Sequence, residues 1–188
     1  EKLKIDSAVF MSELELNKNK SLSNEEASPL AQSAADTPSE SKDDDYKLTG
    51  ENDILFEFAA EAEEHLLNLE NIILEKDGLY GKDDIDSIFR GVHSIKGGSA
   101  YFNLEEMTAC SHILENYLSE VRDGKRQFEE VLKSLLLTYI DLQKNVLKRA
   151  REAALSDGLM KKSGASVDFL RSLEIYGKSG KPETEKVS

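Results

Sequence analysis

The sequence lacks several features that mark other classes of protein. Its 188 residues contain no tryptophan, three prolines and a single cysteine, Cys110. One cysteine excludes an internal disulfide framework and suits a reducing compartment. No apolar run approaches the roughly 20 residues that span a bilayer, and no signal-peptide pattern opens the chain. We therefore expect a cytoplasmic localisation without membrane insertion.

Positive charge is also scarce. The chain carries 24 Lys and Arg residues against 37 Asp and Glu residues, which gives a formal net charge of −13. Repulsion between this charge and a phosphate backbone argues against a nucleic-acid partner. The length allows one domain of ordinary size with tails. A first residue of Glu1 rather than Met leads us to expect a piece of a longer protein.

Composition divides the chain into a central domain and two tails. All three prolines lie outside residues 51–176, and residues 17–50 are mostly Ser, Asn, Glu, Asp, Lys and Ala. Such a segment cannot bury enough apolar surface to offset a backbone ordering cost of about 1–2 kcal/mol per residue. We predict a mostly disordered acidic linker or N-terminal extension over residues 1–50, a helical domain over residues 51–176, and a flexible linker to a following domain over residues 177–188.

Helical periodicity dominates the central stretch. Apolar residues recur at spacings of three and four in four long runs and a weaker fifth run. Gly78, Gly124 and Gly158 are predicted stops, and Asp83 or Asp84 is a predicted N-cap. No useful period-two run is present, and each amphipathic stripe must be buried by another, so the predicted fold is all-α: an antiparallel four-helix bundle with a short fifth helix. The five runs are Leu55, Ala59, Ala62, Leu66, Leu69 and Ile73; Ile85, Ile88, Val92, Ile95, Ser99 and Phe102; Met107, Cys110, Leu114, Tyr117 and Val121; Phe128, Leu132, Leu135, Tyr139, Leu142, Val146 and Ala153; and Val167, Leu170 and Leu173.

Candidate chemistry is concentrated in the hexapeptide HSIKGG, which begins at His93. At 100° per residue His93 lies just off the apolar stripe of its helix, with Lys96 and Gly97 as its neighbours one turn on. Two glycines in a helix interior cost about 2 kcal/mol relative to alanine. Two explanations stay open: another molecule approaches the bare backbone at Gly97 and Gly98, or the helix ends there and the chain turns before Phe102.

The parts of this hexapeptide are more informative together than apart. An exposed histidine or a single lysine is usually an ordinary surface residue. A histidine beside the apolar stripe, a cation one turn on and a bare patch next to it describe an accessible nucleophile with a counter-charge for a phosphoryl group.

The segment FRGVHSIKGGSAYF, residues 89–102, resembles the phosphorylation-site helix of histidine phosphotransfer (HPt) domains, most of all those of chemotaxis histidine kinases. The likeness continues through residues 112–116 and 121–125 and covers roughly residues 53–173. It implies that His93 is the residue that becomes phosphorylated, within a two-component signalling system.

The resemblance also implies roles for three neighbours of His93. Lys96 matches the lysine of the family motif, and His112 and Glu115 match a histidine and a glutamate on the next helix. Glu115 is the candidate to accept a hydrogen bond from Nδ1–H of His93, which would fix the tautomer and leave Nε2 free. An ordinary surface carboxylate is the alternative for Glu115. For His112, a phosphate contact, membership of the same hydrogen-bond network and no role all stay open.

The resemblance implies a phosphoryl carrier rather than a kinase. The chain has no GxxxxGK[ST] phosphate loop or other nucleotide-binding glycine pattern. The implied partners are a histidine kinase catalytic domain, which brings ATP and magnesium, and a response-regulator receiver, which brings its own magnesium and an acceptor aspartate. We expect no cofactor and no tightly bound metal in this chain. Whether the catalytic domain belongs to the same chain stays open, although a histidine kinase is the expected parent protein.

Two other functions stay open as alternatives. A metal enzyme in a helix bundle uses Glu-x-x-His pairs on facing helices, whereas His112-x-x-Glu115 runs in the opposite order. A plain interaction or adaptor bundle would explain the apolar stripes but neither the glycines nor the flanking histidine. We assign His65 to the surface and Cys110 to the core.

Overall fold

The computed structural model describes residues 45–76 and 79–179. Residues 1–44 and 180–188, which make up most of the two predicted linkers, lie outside the described residues. The predicted stop Gly78 does so too. The described ranges form the following elements: β1 (Asp45–Lys47), α1 (Asn52–Glu75), α2 (Lys82–Tyr101), α3 (Glu105–Arg122), α4 (Glu130–Ala154), β2 (Leu159–Lys161) and α5 (Gly164–Ser179).

The helices pack as the predicted antiparallel bundle. α2 packs against α3 over most of its length, α1 contacts both α2 and α4, and α5 covers α3 and α4. All six apolar residues predicted on α1 are buried, from Leu55 to Ile73, as are the six predicted from Ile85 to Phe102. α3 and α4 end shortly before Gly124 and Gly158, whose positive φ angles of 70° and 72° are typical of glycine after a helix. The all-α prediction with a fifth helix is confirmed.

The ends of α2 and the faces of α3 and α5 differ from the predictions in detail. The N-cap of α2 is Gly81, and Asp84 instead accepts a hydrogen bond from the Gly81 N–H at 2.9 Å. α3 buries Ser111 and Leu118 rather than Tyr117 and Val121, which are half-buried. On α5 the predicted Leu173 is buried, but Ser166 and Phe169 are buried in place of the predicted Val167 and Leu170, and Tyr176 continues the stripe.

A small antiparallel ribbon was absent from the prediction. β1 pairs with β2 so that Tyr46 lies opposite Met160, and both side chains are buried. Three residues are too few to show a period-two pattern. The ribbon includes residues before the predicted domain start at residue 51, because β1 spans Asp45–Lys47. α5 likewise continues past the predicted boundary at residue 176, to Ser179.

A buried glutamate fastens the ribbon to the bundle. Glu106, on α3, is 4% exposed. Its carboxylate accepts hydrogen bonds from the Tyr46 hydroxyl (3.1 Å), the Arg149 guanidinium (2.8 Å) and the Ser163 backbone N–H (2.5 Å). Burial acts to raise the pKa of Glu106, but the Ser163 N–H, the Ser166 hydroxyl and the Arg149 guanidinium outweigh it and hold that pKa below its ordinary value. Helices of sufficient length and apolarity to cross a bilayer do not occur among the described residues.

Candidate functional site

Both glycines of the hexapeptide lie inside a helix. α2 continues without interruption through Gly97 and Gly98 to Tyr101. The alternative in which the chain turns before Phe102 at these glycines is therefore wrong. The free energy that two glycines cost in a helix interior therefore needs an explanation in packing or in function.

The two glycines have different environments. A Cβ at Gly98 would overlap the ring of Phe58, which stacks on Phe102 with 5.3 Å between ring centroids. The absence of a side chain at Gly98 is thus required by packing against α1. Packing alone therefore explains glycine at Gly98, and partner approach at Gly98 stays a prediction. At Gly97 no atom outside the local helix backbone lies within 4 Å of an added Cβ, so packing among the described residues does not account for glycine there.

His93 presents its ring to solvent while one nitrogen is held by the next helix. The side chain is 60% exposed, and Nδ1 lies 2.7 Å from Oε1 of Glu115. The antiparallel course of α2 and α3 places these two residues opposite each other. With a proton on Nδ1 donated to the carboxylate, the lone pair of a neutral imidazole is on Nε2. No hydrogen bond to Nε2 is formed by the described residues.

Glu115 joins the histidine to the lysine of the hexapeptide. Its side chain is 12% exposed, and its second oxygen forms an ion pair with Lys96 Nζ at 2.5 Å. Partial burial acts to raise the pKa of Glu115. The hydrogen bonds from Lys96 and His93 outweigh that effect and hold the pKa below its ordinary value. The carboxylate therefore stays ionised at neutral pH and can orient the imidazole.

The remaining histidines and the cysteine are separate from this cluster. His112 is exposed and lines a shallow groove between α2 and α3 together with Lys96 and Gly97. Within the described ranges His112 forms no hydrogen bond to His93 or Glu115. His65 is partly exposed on α1, 3.7 Å from Glu61. Cys110 is a core residue as predicted, and burial raises the pKa of its thiol to about 12.

Two residues near His93 received no role from the sequence. The ring of Phe89 stacks on the imidazole with 6.0 Å between centroids and 18° between planes. The guanidinium carbon of Arg122 lies 4.0 Å from the centre of the same Phe89 ring. Phe89 is four residues before His93, so helical spacing could have identified it. Arg122 belongs to another helix, and the spacing on α2 carries no signal for it.

A ligand set for a metal enzyme is not found. Among residues 45–76 and 79–179, no three His, Cys, Asp or Glu side chains lie together in a way that could hold a metal ion. The helix-bundle metal site considered from the sequence therefore has no ligands in this part of the chain.

Comparison with known proteins agrees with the motif and the helical topology. The family model described as Hpt domain matches residues 53–154, more than half of the chain. This chain belongs to the Hpt domain family. The resemblance noted from the hexapeptide is thereby confirmed.

The Hpt domain is similar to parts of curated chemotaxis proteins. It is 33% identical over 105 residues to the chemotaxis protein CheA of Treponema pallidum, which covers 55% of this chain and 13% of that protein. It is 31% identical over 103 residues to the sensor histidine kinase CheAY of Helicobacter pylori, covering 53% of this chain and 13% of that protein. The chain thus spans only a small fraction of the length of these relatives.

A solved structure shares the fold. The phosphorylated P1 domain of CheA3 in complex with CheY6 from R. sphaeroides superposes with a TM-score of 0.58 at 22% identity. The match covers 67% of this chain and 98% of that one. At this identity the likeness establishes the common helical architecture.

Proposed function

We propose that this Hpt domain carries phosphoryl groups in a chemotaxis histidine kinase, and that His93 is the residue that carries them. The observation that supports this most directly is the 2.7 Å contact between Nδ1 of His93 and Glu115, made by an imidazole that is otherwise largely exposed. It supplies an oriented nitrogen nucleophile at the surface of a rigid helix. The names of the relatives and of the structural neighbour support the same signalling system.

The proposed chemistry consists of two transfers through Nε2 of His93. In the first, the Nε2 lone pair forms an N–P bond with the γ-phosphorus of ATP, the P–O bond to the β-phosphate breaks, and ADP leaves with that electron pair. In the second, a carboxylate oxygen of a receiver aspartate attacks phosphorus, the N–P bond breaks, and its electrons return to Nε2. The proton on Nδ1 stays on the ring in both steps, donated to Glu115.

Lys96 and Glu115 keep the side chain of His93 and its surroundings in position between the two transfers. Lys96 lies one helical turn from His93, and its ammonium is paired with Glu115 in the unphosphorylated domain. A phosphoryl group on His93 would bring a second anion within reach of the same ammonium, so Lys96 can act as its counter-charge. Glu115 keeps the imidazole oriented. His112, on the adjacent groove, is a candidate for a phosphoryl contact only.

Gly97 leaves the surface beside His93 open for the partner domains. Its position is one turn from the imidazole, and a Cβ placed there would have no atom of another described element within 4 Å. We assign ATP and magnesium to the histidine kinase catalytic domain and a further magnesium ion to the response-regulator receiver. Both phosphotransfer reactions would take place in the cytoplasm, where this signalling system obtains ATP.

Labelling with [γ-³²P]ATP and the catalytic domains of a chemotaxis histidine kinase tests this proposal. The wild-type chain should become labelled, whereas His93→Gln should not. His65→Gln is the matched control, because His65 is also a surface histidine beside a glutamate, and it should be labelled at the wild-type rate. Undiminished labelling of His93→Gln would contradict the proposal.

A further inference from the structure

Tyr101 is a large exposed side chain on the same side of α2 as His93 and Gly97. It is the last residue of that helix and is 62% exposed. Gly97 lies one helical turn before it, and residues four apart are neighbours on a helix surface. At a rise of about 1.5 Å per residue, Tyr101 is roughly 12 Å from His93 along the helix axis. A domain that covers both His93 and the open surface at Gly97 therefore also meets Tyr101.

The ring of Tyr101 is held in place although most of it is exposed. Phe102 packs edge-on against it, with 4.9 Å between ring centroids and 87° between planes. The backbone of Gly50 lies so close that an added Cβ would be 3.2 Å from the Tyr101 ring. Thr49 Oγ1 donates a hydrogen bond to the Tyr101 carbonyl at 2.7 Å. A partner that covers this ring immobilises little that is not already ordered, which lowers the entropic cost of binding.

The surface between His93 and Tyr101 carries little net charge. Its sequence, HSIKGGSAY, contains no acidic residue. Its one charged side chain, Lys96, is paired with Glu115. Across the groove between α2 and α3, Glu105 is paired with Lys162 at 3.1 Å. Both charges are thus compensated, in a chain whose formal net charge is −13.

The chemistry of the two transfers decides which partner must contact this surface closely. A receiver aspartate bears its carboxylate on a single methylene group, so the receiver backbone must come near the phosphorus atom and rest on the surface around His93. The γ-phosphate of ATP stands at the end of a long nucleotide, which lets a catalytic domain reach His93 with less contact. Magnesium is bound through carboxylates, so the receiver face that approaches is acidic. A surface whose own carboxylates are paired is complementary to that face.

We propose that Tyr101 is a specificity-determining residue that anchors the response-regulator receiver on α2 during the second transfer. Tyrosine is among the residues that contribute most to protein interfaces, because it buries a large and rigid ring. The inference rests on the proposed function, since it assumes transfer from His93 to a receiver. Tyr101 contacts the receiver rather than the reacting atoms, so it contributes to binding and not to the transfer step itself.

Transfer from the phosphorylated chain to a receiver tests the proposal. The full 188-residue chain is phosphorylated on His93 with ³²P-labelled phosphoramidate, a small donor that needs no docking surface. The rate of label loss is then measured against the concentration of a receiver that accepts label from the wild-type chain, with magnesium present. We expect Tyr101→Ala to raise the receiver concentration at half-maximal rate about tenfold, the effect of one interface anchor. The maximal rate should not change.

Three further variants sharpen the test. Tyr101→Phe keeps the ring and should behave like the wild-type chain. Tyr101→Gln removes the ring but keeps a long side chain at the end of α2, and should behave like Tyr101→Ala. Leu67→Ala truncates a side chain of similar exposure, 54%, on α1 and should leave the half-maximal concentration unchanged. All variants should react with phosphoramidate at the wild-type rate, because the imidazole and its hydrogen-bond partner are unaltered.

The outcomes are distinct. An unchanged half-maximal concentration in Tyr101→Ala and Tyr101→Gln would overturn the role of Tyr101, and so would an equal increase in Leu67→Ala. An equal or larger effect of Tyr101→Ala on labelling by a kinase catalytic domain and ATP would assign this surface to that domain instead. A dimer of the chain that Tyr101→Ala dissociates in sedimentation would assign it to a second copy. Failure of His93 to accept label from phosphoramidate, or of every receiver to remove it, would overturn the proposed function itself.

Discussion

Adjacent glycines in one helix should respond to the same substitution with opposite signs. Gly97→Ala adds a methyl group that has no atom within 4 Å among the described residues outside its own helical turn. The interior of α2 is compatible with alanine, so the change should raise the free energy of unfolding by about 0.4–1 kcal/mol, mainly by restricting the unfolded chain. The melting temperature should rise by a few degrees.

Gly98→Ala should destabilise the same helix. The added methyl group would overlap the Phe58 ring, which must turn away from its stack with Phe102. Overpacking of this kind costs about 1–3 kcal/mol, and loss of the Phe58–Phe102 ring pair costs about 0.5–1.5 kcal/mol. Together these costs exceed the gain of about 0.4–1 kcal/mol that alanine brings by restricting the unfolded chain. We expect a net loss of roughly 0.5–4 kcal/mol from these terms, with a central value of about 2 kcal/mol.

Urea denaturation followed by far-ultraviolet circular dichroism measures both variants. A double-mutant cycle with Phe58→Leu provides the control, because a smaller side chain at that position should relieve most of the Gly98→Ala penalty. Equal stabilities of the two alanine variants would show that Phe58 does not constrain Gly98. A destabilised Gly97→Ala would refute the assignment of open surface there.

Substitutions at Gly97 should also affect function. The rate of phosphotransfer with the partner domains should fall from wild type to Gly97→Ala to Gly97→Gln, while the free energy of unfolding stays the same or rises. A stable Gly97→Gln variant with an undiminished transfer rate would place the docking surface elsewhere. Glu115→Gln should slow His93 phosphorylation without preventing it and broaden the tautomer mixture seen in ¹⁵N NMR spectra; an unchanged tautomer ratio would remove Glu115 from the site. Glu106→Gln should lower the free energy of unfolding by about 1–3 kcal/mol at neutral pH. Because the folded-state pKa of Glu106 is lowered, this difference should be complete above pH 4.5, its ordinary value, and shrink below it; a pH-independent difference would refute the ionic role. Deletion of residues 1–44 should leave the melting temperature unchanged. Deletion of residues 1–50 should lower it, because this deletion removes the buried Tyr46. A loss of several degrees on deletion of residues 1–44 would refute the linker assignment.

The helices were predictable because each is long enough to repeat its period several times. The stripe on α1 is complete in the sequence, and every member is buried. β1 and β2 have three residues each and too few alternations to show any period. The face of α5 was misassigned because the predicted stripe passed over Phe169 in favour of Leu170.

The candidate site was predictable where its members share a helix or match a family motif. His93, Lys96 and Gly97 follow from helical spacing, and Glu115 follows from the resemblance together with its place on the next helix. The reason for Gly98 could not be read from the sequence, because it depends on which side chain of α1 faces that position. The same holds for Arg122, whose contact with Phe89 depends on the register between α2 and α3.

The central claim is that a phosphoryl group is carried on Nε2 of His93, with the proton kept on Nδ1 by Glu115. Long-range ¹H–¹⁵N NMR correlation spectra of the phosphorylated ¹⁵N-labelled chain test it most directly, because they distinguish the two ring nitrogens by their couplings to the ring protons. We expect a single phosphorylated imidazole, assigned to His93, with phosphorus on Nε2 and a protonated Nδ1. Phosphorus on Nδ1 of His93, or on His65 or His112, would contradict the account.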